Sequence, residues 1–335
     1  MISIAVLGCG RIGRMHAANI AAHPRASLVG VFDVHEPSAK SVADGLGVRC
    51  FTSADDVFAN GEVDAVLIAT STPTHVEFIE QGVRSGKAIL CEKPIDLSLA
   101  TVNALKARIA DSRVPIMLGF VRRFDAGHAG ARQALLNGEI GQLYQVTITS
   151  RDPAMAPAPY IEVSGGIFRD MTIHDLDMAR YMLGEAVDTV TAVGSRLVDP
   201  ALMERCADYD VVTVTLTTAL GKQAIITNSR KSVYGYDQRI ELLGSKGMVI
   251  SENPYENLVS RHFAAATGIR SPLPNFFIER YRQAFNTEIS HFVDAVENGK
   301  PVPVGFEDGR MALVLAEACV RSVAEGRTVS VSELE

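Results

Sequence analysis

Gly8-Cys9-Gly10-Arg11-Ile12-Gly13 follows a short apolar run, Ile2 to Leu7, and leads into a stretch of helical character from Arg14 to His23, which Pro24 breaks. Placed between a strand and a helix, the three glycines have separate tasks. Gly8 permits a tight turn, Gly10 lets a pyrophosphate approach the backbone, and Gly13 lets the helix pack against the strand. Free N–H groups at the helix start, with the helix dipole behind them, favour phosphate charge. Gly8, Gly10, Arg11, Ile12 and Gly13 are therefore read as a dinucleotide-binding turn. The next apolar run, Ser27 to Asp33, ends in a carboxylate twenty residues after Gly13. Asp33 can accept hydrogen bonds from both ribose hydroxyls and would repel a 2′-phosphate, so NAD is expected over NADP. His35 and Lys40 are the nearby groups that could tolerate some NADP.

Outward from this turn the same grammar continues for about 120 residues. Ala65 to Ala69, Ala88 to Cys91 and Pro115 to Phe120 read as buried strands. Thr74 to Ser85 reads as a helix stopped by Gly86, and Ser98 can cap a helix carrying Val102, Leu105 and Ile109 on one face. Strands and helices alternating at these spacings indicate a doubly wound parallel sheet covered on both faces. After it the period changes to two. Tyr144, Val146 and Ile148 alternate with Gln145, Thr147 and Thr149, and Val212, Val214 and Leu216 with threonines. Val187 to Val198, Lys222 to Asn228 and Arg239 to Leu243 are also strand-like, with helices expected at Thr172 to Leu183, around Phe285 to Val296, and at Glu307 to Ala324. The expectation is an α/β protein in two domains: residues 1–120 bind the dinucleotide, and 121–335 form an α/β domain on a large open, mainly antiparallel sheet. Pro153, Pro157, Pro159, Gly165 and Gly166 mark an irregular loop that could close over substrate or serve no function.

Composition sets limits on what such a chain does. Of 335 residues, 47% are hydrophobic and 21% charged, enough to fill two cores. A net charge of -7 disfavours nucleic-acid binding. No apolar run is long enough to suggest a membrane span, and the N-terminus runs straight into the first strand without a signal-peptide pattern. Cys9, Cys50, Cys91, Cys206 and Cys319 are odd in number, widely spaced and without a CxxC, which fits reduced thiols in a cytoplasm.

Three stretches carry candidate chemistry. Thr70-Ser71-Thr72-Pro73-Thr74-His75 follows one strand at the carboxyl edge of the sheet, where Thr70, Thr72 or His75 could touch the cofactor. His75 reads better as a helix-start residue than as a catalyst. Cys91-Glu92-Lys93-Pro94 follows the next strand. There Lys93 could donate to a reacting oxygen or simply be solvated, and the bond to Pro94 could be cis. In Asp170-Met171-Thr172-Ile173-His174 the acid and the imidazole lie four apart on a helical first turn and share a face. An imidazole oriented by a carboxylate suits the removal of a hydroxyl proton during alcohol oxidation. The pair could also be structural, and Asp177 is a second possible partner. No further ligand cluster supports a metal, so none is expected.

Together the glycine turn, Asp33, Glu92-Lys93-Pro94, and Gly165-Gly166 leading into Asp170 and His174 resemble the glucose–fructose oxidoreductase, inositol dehydrogenase and rhizopine catabolism (Gfo/Idh/MocA) family over nearly the whole chain. Gly119 to Asp125, Arg151-Asp152-Pro153 and Tyr234 to Asp237 are most similar to its bacterial inositol-oxidising branch. The resemblance implies an NAD-dependent enzyme that oxidises a ring hydroxyl of myo-inositol to the 2-ketone, with Lys93, Asp170 and His174 catalytic. It implies cofactor contacts from Glu92 and Lys93, substrate contacts from Arg122, Asp152 and Tyr236, and a homotetramer. Asp152 stands where some members have Asn, and Ser150 where some have His, which leaves the substrate open among inositol isomers and aldopyranoses such as glucose. A protein that senses NAD without turnover is the alternative of another class.

Overall fold

A computed structural model describes residues 1–334. It divides into two compact units. The first is Met1–Val121 with Gln283–Met311, and the second is Arg122–Arg282 with the stretch from Ala312 onward. The expected second domain is thus interrupted, because a helical segment late in the sequence packs with the first unit.

In the first unit, strands β1 (Ile2–Leu7), β2 (Ala26–Phe32), β3 (Arg49–Cys50), β4 (Ala65–Ile68), β5 (Ala88–Cys91) and β6 (Ile116–Leu118) alternate with helices α1 (Arg11–Ala21), α2 (Glu36–Leu46), α3 (Ala54–Ala59), α4 (His75–Arg84) and α5 (Leu99–Arg108). The strands form one sheet in the order β3-β2-β1-β4-β5-β6, with every pairing parallel. This is the doubly wound order, whose ligand crevice opens at the carboxyl ends of the strands beside β1 and β4. Ala65 to Ile68 and Ala88 to Cys91 are buried throughout, as strands covered on both faces must be. Register decides what meets at the edge. Leu7 pairs with Ile68 and Ile68 with Cys91, so the residues that follow them, from Gly8, Ala69 and Glu92 onward, leave the sheet side by side. Ser98 caps α5 by accepting from the Thr101 N–H at 3.3 Å, and Val102 and Leu105 are buried as their spacing requires.

The second unit holds a seven-stranded sheet. Its strands are β7 (Leu143–Arg151), β8 (Val187–Ser195), β9 (Val211–Thr218), β10 (Gln223–Ser229), β11 (Asp237–Gly244) and β12 (Gly247–Ser251). A small hairpin of β13 (Ser260–Arg261) and β14 (Ile269–Arg270) stands apart, and β15 (Val329–Ser330) completes the large sheet in the order β12-β11-β7-β10-β9-β8-β15. Only the β7–β10 pair is parallel. The alternation places Val146, Ile148 and Ser150 on one buried face, level with Ala224, Ile226 and Asn228 on one side and Leu242, Ile240 and Gln238 on the other. Each row is apolar until the last, where Ser150, Asn228 and Gln238 make a buried polar step.

Helices α6 (Ala126–Leu136), α7 (Ala158–Ile161), α8 (Ile173–Leu183), α9 (Pro200–Arg205), α10 (Phe277–Arg280), α11 (Arg282–Asn298) and α12 (Phe306–Glu325) complete the chain. Helix α8 buries Leu176, Ala179, Met182 and Leu183, each apolar side chain beyond alanine contributing about 1.5–3 kcal/mol when fully removed from water. Among the described residues no helix is long and apolar enough to cross a membrane. All five cysteines are free thiols.

Candidate active site

In the first unit the glycine turn has the geometry its spacing predicts. Gly8 has φ +96°, and a Cβ there would sit 2.4 Å from the Ala69 carbonyl oxygen. A Cβ on Gly13 would lie 1.8 Å from the Gly8 oxygen, so any side chain would drive α1 away from the turn. A Cβ on Gly10 would meet nothing within 4 Å, which leaves its backbone open to a ligand. No side chain caps α1, which leaves its first N–H groups available to an anion. Arg11 is exposed and Ile12 half-buried on the same turn.

The carboxylate of Asp33 accepts the Cys9 N–H at 2.6 Å and the His35 N–H at 2.8 Å. These bonds fix it beside the glycine turn and leave lone pairs for diol hydroxyls. Together, the open Gly10, the uncapped helix and this carboxylate fit NAD. Replacing Asp33 by serine removes a charged acceptor worth about 1.5–3 kcal/mol per hydrogen bond and the repulsion of a 2′-phosphate. The NADP/NAD ratio of kcat/KM then rises by roughly 10- to 100-fold. Steady-state kinetics with both cofactors checks this, and an unchanged ratio removes Asp33 from the ribose site.

Thr70 and Thr72 flank the same edge, and the Thr70 and Thr74 hydroxyls are 2.7 Å apart. His75 is buried, with Nδ1 2.8 Å from the Pro94 carbonyl oxygen and Nε2 3.2 Å from that of Thr70. Its ring ties the loop after β4 to the loop after β5, in keeping with the helix-start reading. Burial lowers its basicity. Glu92 and Lys93 are both half-buried at the end of β5, and Lys93-Pro94 is cis. Glu92 Oε1 lies 2.9 Å from His16 Nε2.

In the second unit Asp170 and His174 do not share an ordinary first turn. Phe168–Thr172 is a π-helix, and α8 starts after it. Turns of this kind insert one extra residue and occur often at functional sites. Gly165 and Gly166, with φ +82° and +86°, swing the chain into it, and the Gly166 carbonyl accepts from the Asp170 N–H at 3.0 Å. Asp170 is held from two directions. The Tyr160 hydroxyl donates to Oδ1 at 2.7 Å, and Arg230 Nη1 donates to Oδ2 at 3.3 Å. Arg230 is buried and also donates to Asp208 at 3.0 Å, while Asp208 accepts the Ile167 N–H at 2.8 Å. Arg230 therefore braces the π turn at both ends. Tyr160 lies on α7, inside the proline-rich loop, where Ile161 packs on Leu202 and Met203.

His174 is half-buried between two fully buried neighbours, Ile173 and Asp175. Asp175 accepts from Arg122 Nη1 at 2.5 Å, from the Ser150 hydroxyl at 2.6 Å and from Asn228 Nδ2 at 2.8 Å. The buried polar row of the sheet thus exists to receive this one carboxylate. Asp177 takes both Nε and Nη2 of Arg123, a bidentate pair on the far side of His174. The helix turn that presents the imidazole is clamped on both sides.

Arg122, expected against substrate, is buried in this ion pair. Burial works against its charge, and Asp175, with Tyr281 and Tyr236, outweighs burial. Asp152 is half-buried, and burial raises its pKa to about 6, with Arg122 lowering it and Asp170 raising it. Tyr236 stacks edge-on against Tyr281 and Phe276. The mutual influence of these charges places Arg122, Asp152, Tyr236 and Asp170 in one neighbourhood. Sequence reasoning missed Tyr160, Arg230, Asp175, Asn228 and Tyr281, and named Ser150 only as a position bearing on substrate, not as a partner of Asp175. The acidic pair after His174 was the one local signal, since Asp175 and Asp177 match the adjacent arginines Arg122 and Arg123.

Comparison with known proteins follows these two sets of groups. A family model described as the NAD-binding Rossmann fold of the Gfo/Idh/MocA oxidoreductases matches residues 2–120, and the model of their C-terminal alpha/beta domain matches 132–331. The inositol 2-dehydrogenase of Rhizobium meliloti is 47% identical over 332 residues, 99% of each chain. The myo-inositol 2-dehydrogenase of Thermotoga maritima is 42% identical over 333 residues, again 99% of each. The crystal structure of a myo-inositol dehydrogenase from Corynebacterium glutamicum matches with TM-score 0.95 at 45% identity, covering 98% of both chains.

Proposed function

The chain belongs to the Gfo/Idh/MocA oxidoreductase family, and from that premise we propose that it is an NAD-dependent inositol dehydrogenase that takes myo-inositol to 2-keto-myo-inositol (scyllo-inosose). The observation that carries this reading is the Arg122, Asp152, Tyr236 and Asp170 neighbourhood, in a chain similar over its full length to inositol dehydrogenases. A polyol carries no charge, so donors and acceptors must select it, and groups placed to bond hydroxyls reject analogues that lack them. NAD, when bound, supplies the acceptor for the electron pair leaving the alcohol carbon. The chain's own residues handle the proton. His174 accepts it from the hydroxyl, Asp170 orients the imidazole, and Lys93 hydrogen-bonds the reacting oxygen as negative charge develops on it. Tyr160 and Arg230 hold Asp170 for that task.

Initial rates of NADH formation across inositol isomers and common aldoses test the reading. Turnover of myo-inositol well above that of glucose supports it. A preference for scyllo-inositol, chiro-inositol or an aldopyranose would correct the substrate, and NADH binding with no turnover of any polyol would make the protein a sensor. Asp152 adds a pH signature. Its raised pKa near 6 means that the carboxylate acceptor is lost as pH falls through that value. The kcat/KM for inositol should therefore fall more steeply below about pH 6 than the loss of one base requires, and Asp152→Asn should lose that extra steepness; an acid limb of unchanged slope in the variant excludes Asp152 from substrate binding.

The same reading places the enzyme in the cytoplasm, in inositol catabolism, as a homotetramer joined through the outer face of the large sheet. Threonines on that face, with exposed Val193 and Leu243 among them, support such an interface.

A further inference from the structure

Glu288, on α11, is fully buried, and neither of its carboxyl oxygens has a hydrogen-bond partner. It belongs to the first unit, with Glu92 and His16. Burial, and after it the negative charge of Glu92, push its carboxyl well above the usual carboxylate range. A carboxyl that keeps its proton has an O–H to donate and needs an acceptor.

His16 supplies the matching need. It is buried on α1, the helix that starts at the glycine turn, and its Nε2 lies 2.9 Å from Glu92 Oε1. With the proton on Nε2, Nδ1 becomes an acceptor, and Nδ1 is also buried with no partner. The His16 ring stands edge-on to Phe285, centroids 5.4 Å apart, and Phe285 precedes Glu288 by three residues on the same face of α11. An orphaned donor on α11 and an orphaned acceptor on α1 thus lie within one helical turn of the buried His16–Phe285 contact, a setting in which an ordered water can bridge two polar groups. Glu92 Oε2 lies against Gly119, where a Cβ would stand 3.0 Å from it, so the glycine is what makes room for this carboxylate.

We propose that Glu288 and His16 are positioning residues for Lys93: the Glu288 O–H donates through one buried water to His16 Nδ1, His16 Nε2–H donates to Glu92, and the Glu92 carboxylate held in this way fixes the backbone that carries Lys93. The assignment rests on the role given to Lys93 above. No bond is made or broken along the chain, which sets one histidine tautomer and one side-chain position.

The test joins histidine and carboxyl NMR of the full-length protein to steady-state kinetics. Glu288→Gln keeps a donor of the same shape, whereas Glu288→Met fills the space without one. In wild type and in Glu288→Gln, His16 is neutral with its proton on Nε2, and kcat differs by no more than about twofold. Glu288→Met melts no lower than wild type, shifts the His16 Nδ1 resonance, and loses about tenfold in kcat with KM for NAD unchanged. An ionised Glu288 at neutral pH, a His16 proton on Nδ1, or a methionine variant with native kcat overturns the proposal. If the wild-type protein turns over no polyol, the role of Lys93 fails instead, and the tautomer still reports on the relay by itself.

Discussion

Replacing either His174 or Lys93 by alanine lowers turnover by about 10²-fold or more while NAD binding changes little. The expectation for His174 follows from where its helix puts it. Asp175 and Asp177 are engaged by Arg122 and Arg123 and Ile173 is buried, whereas His174 on the same turn is half-buried. On the proposed mechanism, removing the imidazole takes away the acceptor for the hydroxyl proton, and the Arg122–Asp175 and Arg123–Asp177 bonds do not include it. Lys93 leaves the sheet at the end of β5, at the edge that the register aligns with the glycine turn. On the proposed mechanism its loss removes a donor to the reacting oxygen, whereas the Gly8 to Gly13 turn and Asp33, which carry most of the proposed cofactor contacts, stay as they were. Single-turnover rates and calorimetric titration with NAD separate the two effects. Near-native turnover in either variant ends the role assigned to that residue.

The first unit was legible because each of its signals is local. The glycine turn, the strand-end Asp33 and the runs at Ala65 and Ala88 are short segments whose period and flanking residues fix their structure. Helices α2, α3 and α6 carried weaker patterns and were not anticipated. The return of Gln283–Met311 to the first unit is a tertiary fact with no local mark. In the second unit the period-two strands could be read, but the order β7-β10 and the parallel pairing there could not, since a seven-residue strand fits either neighbour equally well by pattern. That pairing brings Asn228 level with Ser150, and so builds the receptor for Asp175 from residues 78 positions apart. Arg122 was read as a substrate contact from resemblance, but its buried salt bridge depends on a partner 53 residues away. The π turn before α8 was equally invisible, because helical spacing looks much the same through one inserted residue.

Replacing Asp175 by alanine destabilises the second unit by about 3–5 kcal/mol, because it leaves the Arg122 guanidinium buried without its anion. For a unit of this size that corresponds to a fall of roughly 6–20 °C in Tm. The size of the effect comes from asymmetry. A buried ion pair contributes little over an apolar pair of the same volume, since desolvation consumes most of the attraction, but one partner left alone pays the desolvation with nothing in return. Asn228 Nδ2 loses its shorter hydrogen bond in the same substitution and keeps only the 3.5 Å contact with the Ser150 carbonyl, while the Ser150 hydroxyl retains Gln238 Oε1 as its acceptor. The double variant Arg122→Met with Asp175→Leu should therefore recover most of the lost stability while restoring no activity, if the arginine also meets substrate. Thermal denaturation of the single and double variants checks the first part, and inositol kinetics at a temperature where both are folded checks the second. A single variant melting within about 2 °C of wild type would show that the carboxylate is not what holds Arg122 in place. The pair would then have to be read as a site arranged for ligand alone.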